Sequence, residues 1–236
     1  MVQLGADTNI IICQKSKIND WIQHFKDHYP RIQIYNLTDK KQLDDFISHD
    51  SVLAGYPDAT MTVGIINYDL VFRRSELLTL KDFTLMLDES SQIQNETTKR
   101  SKFILKMKPK NVILLSGTPT SGKYENLWSQ VQLLGWNISK DLYWKHYIET
   151  EWKEVDGGFF RKEVVGYKNV DRLKMKLTQH GAIFMKSEEV VNLPEQIENK
   201  IMVPTTTEYR KFMRSRIITI QDKEMIGDTA LTKRLY

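Results

Sequence analysis

The sequence predicts an α/β protein built on a parallel sheet with crossover helices. Three observations predict it. Short apolar runs recur at residues 9–13, 61–66, 83–87 and 111–115, the pattern of strands buried on both faces of a parallel sheet. Segments with helical spacing of apolar residues separate them. A polar loop follows each run: Gln14–Ser16, Asn67–Asp69, Asp88–Ser91 and Ser116–Pro119. In an open parallel sheet such loops gather at the carboxyl edge, where ligands bind.

Taken in order, Asn9 to Cys13 is an isoleucine-rich strand. Ser16 is placed to cap a helix running to Tyr29, with Ile18, Trp21, Ile22, Phe25 and Tyr29 as its apolar stripe and Pro30 ending it. Arg31 to Tyr35 alternates as a strand. Lys40 to Ser48 is a helix with Leu43, Phe46 and Ile47 inward, and Ser51 to Thr60 is a loop. Met61 to Ile66 is a strand, and Tyr68 to Leu78 a helix. Phe83 to Leu87 is a strand, Thr97 to Met107 a basic helix, Asn111 to Leu115 a strand and Glu125 to Leu134 a helix. The pattern then changes. Lys140 to Thr150 is an aromatic helix, and Trp152 to Tyr167 a hairpin turning at Asp156-Gly157-Gly158. Val170 to Gln179 is a helix. Ala182 to Met185 and Ile197 to Val203 are strands, Leu193-Pro194 breaks the chain, and a helix begins at Thr206. Three parts are expected: a parallel-sheet domain over 1–135, a protruding helix and hairpin insertion over 136–180, and a return to that domain with a linker over 181–236.

Composition sets bounds. With 236 residues, 41% of them hydrophobic, the chain can bury a sizeable core. A net charge of +4 permits a nucleic-acid partner without demanding one. The single cysteine, Cys13, excludes an internal disulfide and a thiolate metal cluster. His24 and His28 stand four apart, but no third ligand is evident. The run Ile10 to Cys13 is too short for a signal core, and no run reaches the ~20 residues that cross a bilayer. A soluble, cytoplasmic protein with no membrane partner is expected.

The chemistry centres on Asp88-Glu89. Adjacent carboxylates just past a buried strand suit nucleoside triphosphate hydrolysis, one holding Mg²⁺ and one directing the attacking water. The bland alternative is a solvated strand end with two surface acids. The neighbours decide between them. Ile10-Ile11-Ile12-Cys13-Gln14-Lys15-Ser16, then Trp21, resembles motif Ia of Swi/Snf-type helicase-superfamily ATPases. Ile65-Ile66-Asn67-Tyr68-Asp69-Leu70 resembles their motif Ib. Leu87-Asp88-Glu89-Ser90-Ser91-Gln92-Ile93-Gln94-Asn95 resembles motif II, with Ser91 where His often stands. Leu114-Leu115-Ser116-Gly117-Thr118-Pro119, then Leu127-Trp128, resembles motif III. Met185-Lys186-Ser187-Glu188-Glu189-Val190 with Leu193-Pro194 resembles the exit from the first motor domain, although the usual arginine pair is replaced by Phe184-Met185-Lys186. The spacing after motif III, with an aromatic helix and a short hairpin, looks most like the compact bacterial and phage branch.

The resemblance implies a RecA-like parallel sheet with flanking helices. It implies Asp88 as the Mg²⁺ carboxylate, Glu89 as the water carboxylate, and Ser116, Gly117 and Thr118 as the coupling motif. It implies that Lys15, Ser16, Asn67 and Tyr68 touch a DNA backbone, contacts that position without reading sequence. Core packing is the competing role for Tyr68, and helix capping for Lys15-Ser16. In the intact motor, ATP and Mg²⁺ would bind against a second RecA-like domain, and the partner would be double-stranded DNA. Only Met1 to Thr8 precede the first strand, with no Gly-Lys-Thr. The chain alone is therefore expected to bind neither cofactor and to be inactive. Gly117-Thr118-Pro119-Thr120-Ser121-Gly122-Lys123 fits G-x-x-x-x-G-K, but Tyr124 stands where Ser or Thr should bind Mg²⁺, and Pro119 suits motif III. The alternative function is a non-catalytic module, derived from a motor lobe, that binds DNA or a partner.

Overall fold

A computed structural model describes residues 6–49, 61–155, 158–185, 199–215, 217–220 and 223–226. Five strands form the main sheet: β1 (Thr8–Cys13), β2 (Ile32–Asn36), β3 (Met61–Asn67), β4 (Thr84–Asp88) and β5 (Asn111–Leu115). Their spatial order is β2-β3-β1-β4-β5, and every pair is parallel. The register sets Cys13 beside Asn67, Ile12 beside Leu87 and Asp88 beside Leu115. The ends of β1, β3, β4 and β5 therefore lie along one rim, as the parallel α/β reading requires.

Both faces of the sheet are covered. Successive strand side chains point to opposite faces. Ile11 and Cys13 join Val63, Ile65 and Met86 on one face, under Ile18 and Phe25 of α1 (Ile18–His28). Ile10 and Ile12 join Leu85 and Leu87 on the other, with Leu43 and Phe46 of α2 (Lys40–His49) and Phe103 and Ile104 of α4 (Lys99–Lys106). Double coverage explains the unbroken apolar runs, and each fully buried Ile or Leu contributes about 1.5–3 kcal/mol. Gly64 is where α2 comes closest to β3: an added Cβ would lie 2.6 Å from Leu37 Cδ1 and 3.0 Å from Phe46 Cζ.

A smaller core follows in the chain. It is shared by α5 (Trp128–Leu133), α6 (Lys140–Tyr147), the antiparallel hairpin β6 (Ile148–Val155) and β7 (Phe159–Tyr167), and α7 (Val170–Gln179). Leu127, Val131, Tyr143, Tyr147, Leu173 and Leu177 are buried in it. The helix and hairpin expected over 136–180 are present, and Leu127 and Val131 extend their core back before residue 136. The chain divides into two compact units, Met1–Ile183 and Phe184–Tyr236. In the second, α8 (Thr207–Ser215) buries Phe212, and β8 (Ile217–Ile220) pairs antiparallel with β9 (Lys223–Ile226).

Several local expectations are corrected. The helix expected over Tyr68–Leu78 is one turn, α3 (Tyr68–Val71), then a 3₁₀ turn at Ser75–Thr79. Arg74 breaks it: at φ −112°, ψ 71° the residue is not helical, and its guanidinium donates to the Thr38 carbonyl at 2.7 Å. Ser16 does not cap α1. It sits within a 3₁₀ turn, Lys15–Lys17, and makes no capping bond. The helix before the hairpin stops at Tyr147, where the β-branched Ile148 turns to pair with Tyr167. Residues 182–185 and 199–203 are not strands. Ile183, Met185, Ile201 and Val203 are each more than 60% exposed, without the burial that holds an apolar run in a sheet. The loop at 51–60, the hairpin residues Asp156 and Gly157, and Lys186 to Val190 with Leu193-Pro194 lie outside the described residues.

Candidate functional site

The β4 end is held in place by three rings and an amide. Trp21, on α1, donates its indole N–H to Asp88 Oδ2 at 2.9 Å. Tyr68, at the start of α3, donates its hydroxyl to the Asp88 carbonyl at 3.0 Å and the Glu89 carbonyl at 3.3 Å. Glu89 adopts left-handed backbone, φ 58°, ψ 59°, a conformation that costs a non-glycine residue about 1–2 kcal/mol. Its surroundings hold the residue there, and such residues cluster at functional sites. Phe83 and Leu87 are fully buried and anchor the strand beneath. Ser90, buried, donates to Gln130 Oε1 at 2.8 Å.

The same glutamine reaches the next loop. Gln130 Nε2 donates to the Pro119 carbonyl at 2.7 Å. Gln94 Nε2 lies within 3.3 Å of the Thr118 carbonyl, 3.0 Å of the Pro119 carbonyl and 3.1 Å of Ser121 Oγ. Asn126 closes the set by donating to Gln94 Oε1 at 3.3 Å and to the Thr120 carbonyl at 3.1 Å. The loop after β4 and the loop after β5 are thus joined by side-chain amides. Ser116 turns its hydroxyl to the Thr118 N–H at 3.1 Å, while Gly117 and Thr118 are exposed.

Burial sets the proton states below the acids. It pushes the Cys13 thiol up to about 12, helped by Asp88 and Asp20, so Cys13 stays a thiol and is not a nucleophile. Burial first, then the Asp88 carboxylate, raises Tyr68 well above the usual phenol range. Tyr68 is therefore a permanent hydrogen-bond donor.

The structure brings Asp88, Glu89 and the 116–118 loop to one rim, with Asp88 paired in register to Leu115. Lys15 and Ser16 are exposed in the loop after β1. Asn67 and Tyr68 are 6% and 3% exposed, so neither offers a side chain to a strand lying on the surface. Lys123 follows a tight turn through Ser121 and Gly122, both at positive φ, and leads into a 3₁₀ turn at Tyr124–Leu127 rather than directly into an α-helix. Among the described residues, no group of three or more His, Cys, Asp or Glu side chains could hold a metal. None of their helices is long and apolar enough to cross a membrane.

Gln130 lies outside the motifs, and the motifs that include Trp21 and Gln94 give neither residue its bracing role. Trp21 reads as one of an apolar stripe. The bonds of Trp21 and Gln130 to the β4 end span 67 and 40 residues of chain, and no local period announces them. The only signal is chemical: an indole N–H on an otherwise apolar stripe needs an acceptor.

Similarity to known proteins extends over most of the chain. The profile of the SNF2-related domain matches residues 3–235. The SWI/SNF-related matrix-associated actin-dependent regulator of chromatin subfamily A member 1 of mouse is 24% identical over 197 residues, covering 82% of this chain and 17% of that protein. Human chromatin-remodeling ATPase INO80 is 26% identical over 196 residues, 80% of this chain and 12% of that protein. The putative ATP-dependent helicase/translocase YwqA of Bacillus subtilis is 27% identical over 210 residues, 85% and 20%. The chain thus spans a fifth or less of the length of these relatives. A solved Sulfolobus solfataricus SWI2/SNF2 ATPase core in complex with dsDNA aligns with TM-score 0.48 at 20% identity, over 60% of this chain and 28% of that one. With a family profile matching nearly its whole length, the chain belongs to the SNF2-related domain family.

Proposed function

We propose that this chain is the acid-pair portion of the first RecA-like lobe of a DNA-dependent ATPase that translocates on double-stranded DNA. The observation that carries the proposal is the fixed presentation of Asp88-Glu89 at the carboxyl rim, braced by Trp21 and Tyr68 and joined to the 116–121 loop by Gln94 and Gln130.

The residues fit a hard cation. Mg²⁺ takes one or two carboxylates plus phosphate oxygens, and Trp21 is the one side-chain donor found on the Asp88 carboxylate among the described residues, at Oδ2. Asp88 would hold the ion, and Glu89 would orient water. When bound with ATP, Mg²⁺ supplies positive charge to the phosphoryl oxygens. The indole keeps the Asp88 carboxylate in one orientation. The Tyr68 hydroxyl fixes the peptide between the two acids, so their spacing does not drift. Ser116 to Thr118 would report occupancy to the DNA side through Gln94. Lys15 and Ser16 would take the phosphate backbone, with Asn67 and Tyr68 supporting that loop from beneath. The lobe would act against a second RecA-like domain, ATP lying between the two.

Duplex-stimulated phosphate release from ATP, measured on the protein as the cell makes it, tests this. Asp88→Asn and Glu89→Gln should each lower the rate by about 10²–10⁴, the range typical of general acid–base groups. Unchanged release in both variants would refute the assignment.

A further inference from the structure

A second charged concavity lies outside the rim. It is an open cavity of about 560 Å³ between α6 and the β6–β7 hairpin, lined by Lys140, Asp141, Trp144, Lys145, Lys162 and Lys168 together with Ile148 and Thr150. Four lysines face one aspartate. Lys140 is ion-paired to Glu96, in the loop that follows the acid pair, and stands 5.7 Å from the Trp144 ring centroid. Among the described residues, Lys145, Lys162 and Lys168 form no ion pair. Like charges gathered without carboxylate partners repel one another, and a polyanion relieves that repulsion.

The hairpin continues the surface. Its register sets Thr150 opposite Val164, Trp152 opposite Lys162 and Glu154 opposite Phe160. Residues two apart share a face. Thr150 and Lys162, which line the cavity, therefore share their face with Trp152 and Phe160. These two aromatics are 67% and 65% exposed. Among the described residues of the hairpin, the one ion pair, Lys153–Glu163 at 3.1 Å, falls on the opposite face. One side of the hairpin thus carries Lys162 beside the bare rings of Trp152 and Phe160, with one carboxylate, Glu154, at its far end. That combination suits phosphates tracked by lysine with bases stacked on rings. A duplex keeps its bases stacked inside and offers nothing to Trp152.

We propose that the cavity between α6 and the hairpin binds the phosphate backbone of a single nucleic-acid strand, whose bases stack on Trp152 and Phe160. The site uses no residue of the rim, so it stands or falls separately from the motor assignment. Anisotropy of a labelled oligothymidylate of about 12 nucleotides, within the usual site sizes, and of a duplex of equal length, tests it on the full chain. Changing Lys145, Lys162 and Lys168 together to Gln should weaken oligothymidylate binding at least tenfold. It should also flatten the plot of log affinity against log salt by about 2, at ~0.7 for each phosphate no longer neutralised. Trp152→Ala should weaken oligothymidylate on the order of tenfold and leave the duplex unaffected. Lys26→Ala, at an exposed lysine of α1 outside both sites, should leave oligothymidylate binding unchanged, and an effect there alone would overturn the proposal. Wild-type affinity in the triple lysine variant would overturn it too. So would Trp152→Ala abolishing self-association while sparing nucleic-acid binding, which would assign the face to a second copy of the chain.

Discussion

The ends of β4 and β5 lie side by side on one rim and are built differently. Thr84 to Leu87 are buried, while no residue of β5 is, and Leu115 is 41% exposed. The loop after β4 is braced by Trp21, Tyr68 and Gln130, each from a different element. From outside itself, the loop after β5 is held at its backbone carbonyls and Ser121 by Gln94, Gln130 and Asn126. Chemistry that depends on two carboxylates at a set spacing needs the first construction. A segment that must answer to a neighbouring domain or to DNA needs the second.

Removing equivalent leucines from the two strands puts this difference at greatest risk. Leu87→Ala, in the fully buried strand, should cost about 2–5 kcal/mol in urea unfolding. Leu115→Ala should cost under about 1 kcal/mol, since less than full side-chain burial is lost. Equal losses would show that the two strands are packed alike.

The next largest effect is at the braces. Tyr68→Phe keeps the ring but strands two carbonyls and frees Glu89 from its left-handed turn, so a loss of about 1–3 kcal/mol is expected. Gln94→Ala exposes carbonyls that water can satisfy and should fall within about 0.5 kcal/mol of the parent.

The sequence makes part of this contrast visible and hides the rest. The runs at 9–13, 61–66, 83–87 and 111–115 are legible as strands because burial on both faces leaves an unbroken apolar signature. The same signature does not distinguish Asn111–Leu115 from its neighbours, since exposure depends on position in the sheet and not on residue type. The hairpin is legible from Asp156-Gly157-Gly158. The strand ending at Val203 is not there, because an apolar run needs a partner to become a strand. Asp88 and Glu89 are legible through adjacency. Trp21, Gln94 and Gln130 are not, because their bonds depend on the crossover that brings distant turns together. For Tyr68 the sequence leaves DNA contact and core packing both open; the ring is buried, and its hydroxyl finds carbonyl acceptors under the loop.

The smallest effect expected is electrostatic, where the second core touches the rim. Burial, the largest single influence, would raise the Glu96 carboxyl, but the hydrogen bond from Lys140, a backbone hydrogen bond and the Lys140 charge together outweigh it and hold the group below its ordinary value of 4.5. A carboxyl lowered in the folded state stabilises the fold above its unfolded value, and that contribution is lost as pH falls through the folded value. Glu96→Gln should therefore flatten the stability profile below about pH 4.5 and leave it little changed near neutrality. An unaltered acid limb would show that the pair does not hold α6 to the loop.

The proposed function couples the fixed β4 end to the more responsive loop after β5. The ratio of duplex-stimulated to basal phosphate release, compared between Tyr68→Phe and Gln94→Ala, tests that coupling most directly. Tyr68→Phe should depress both rates together, and Gln94→Ala should lose stimulation while basal release persists. Two variants that change both rates in the same proportion would contradict it.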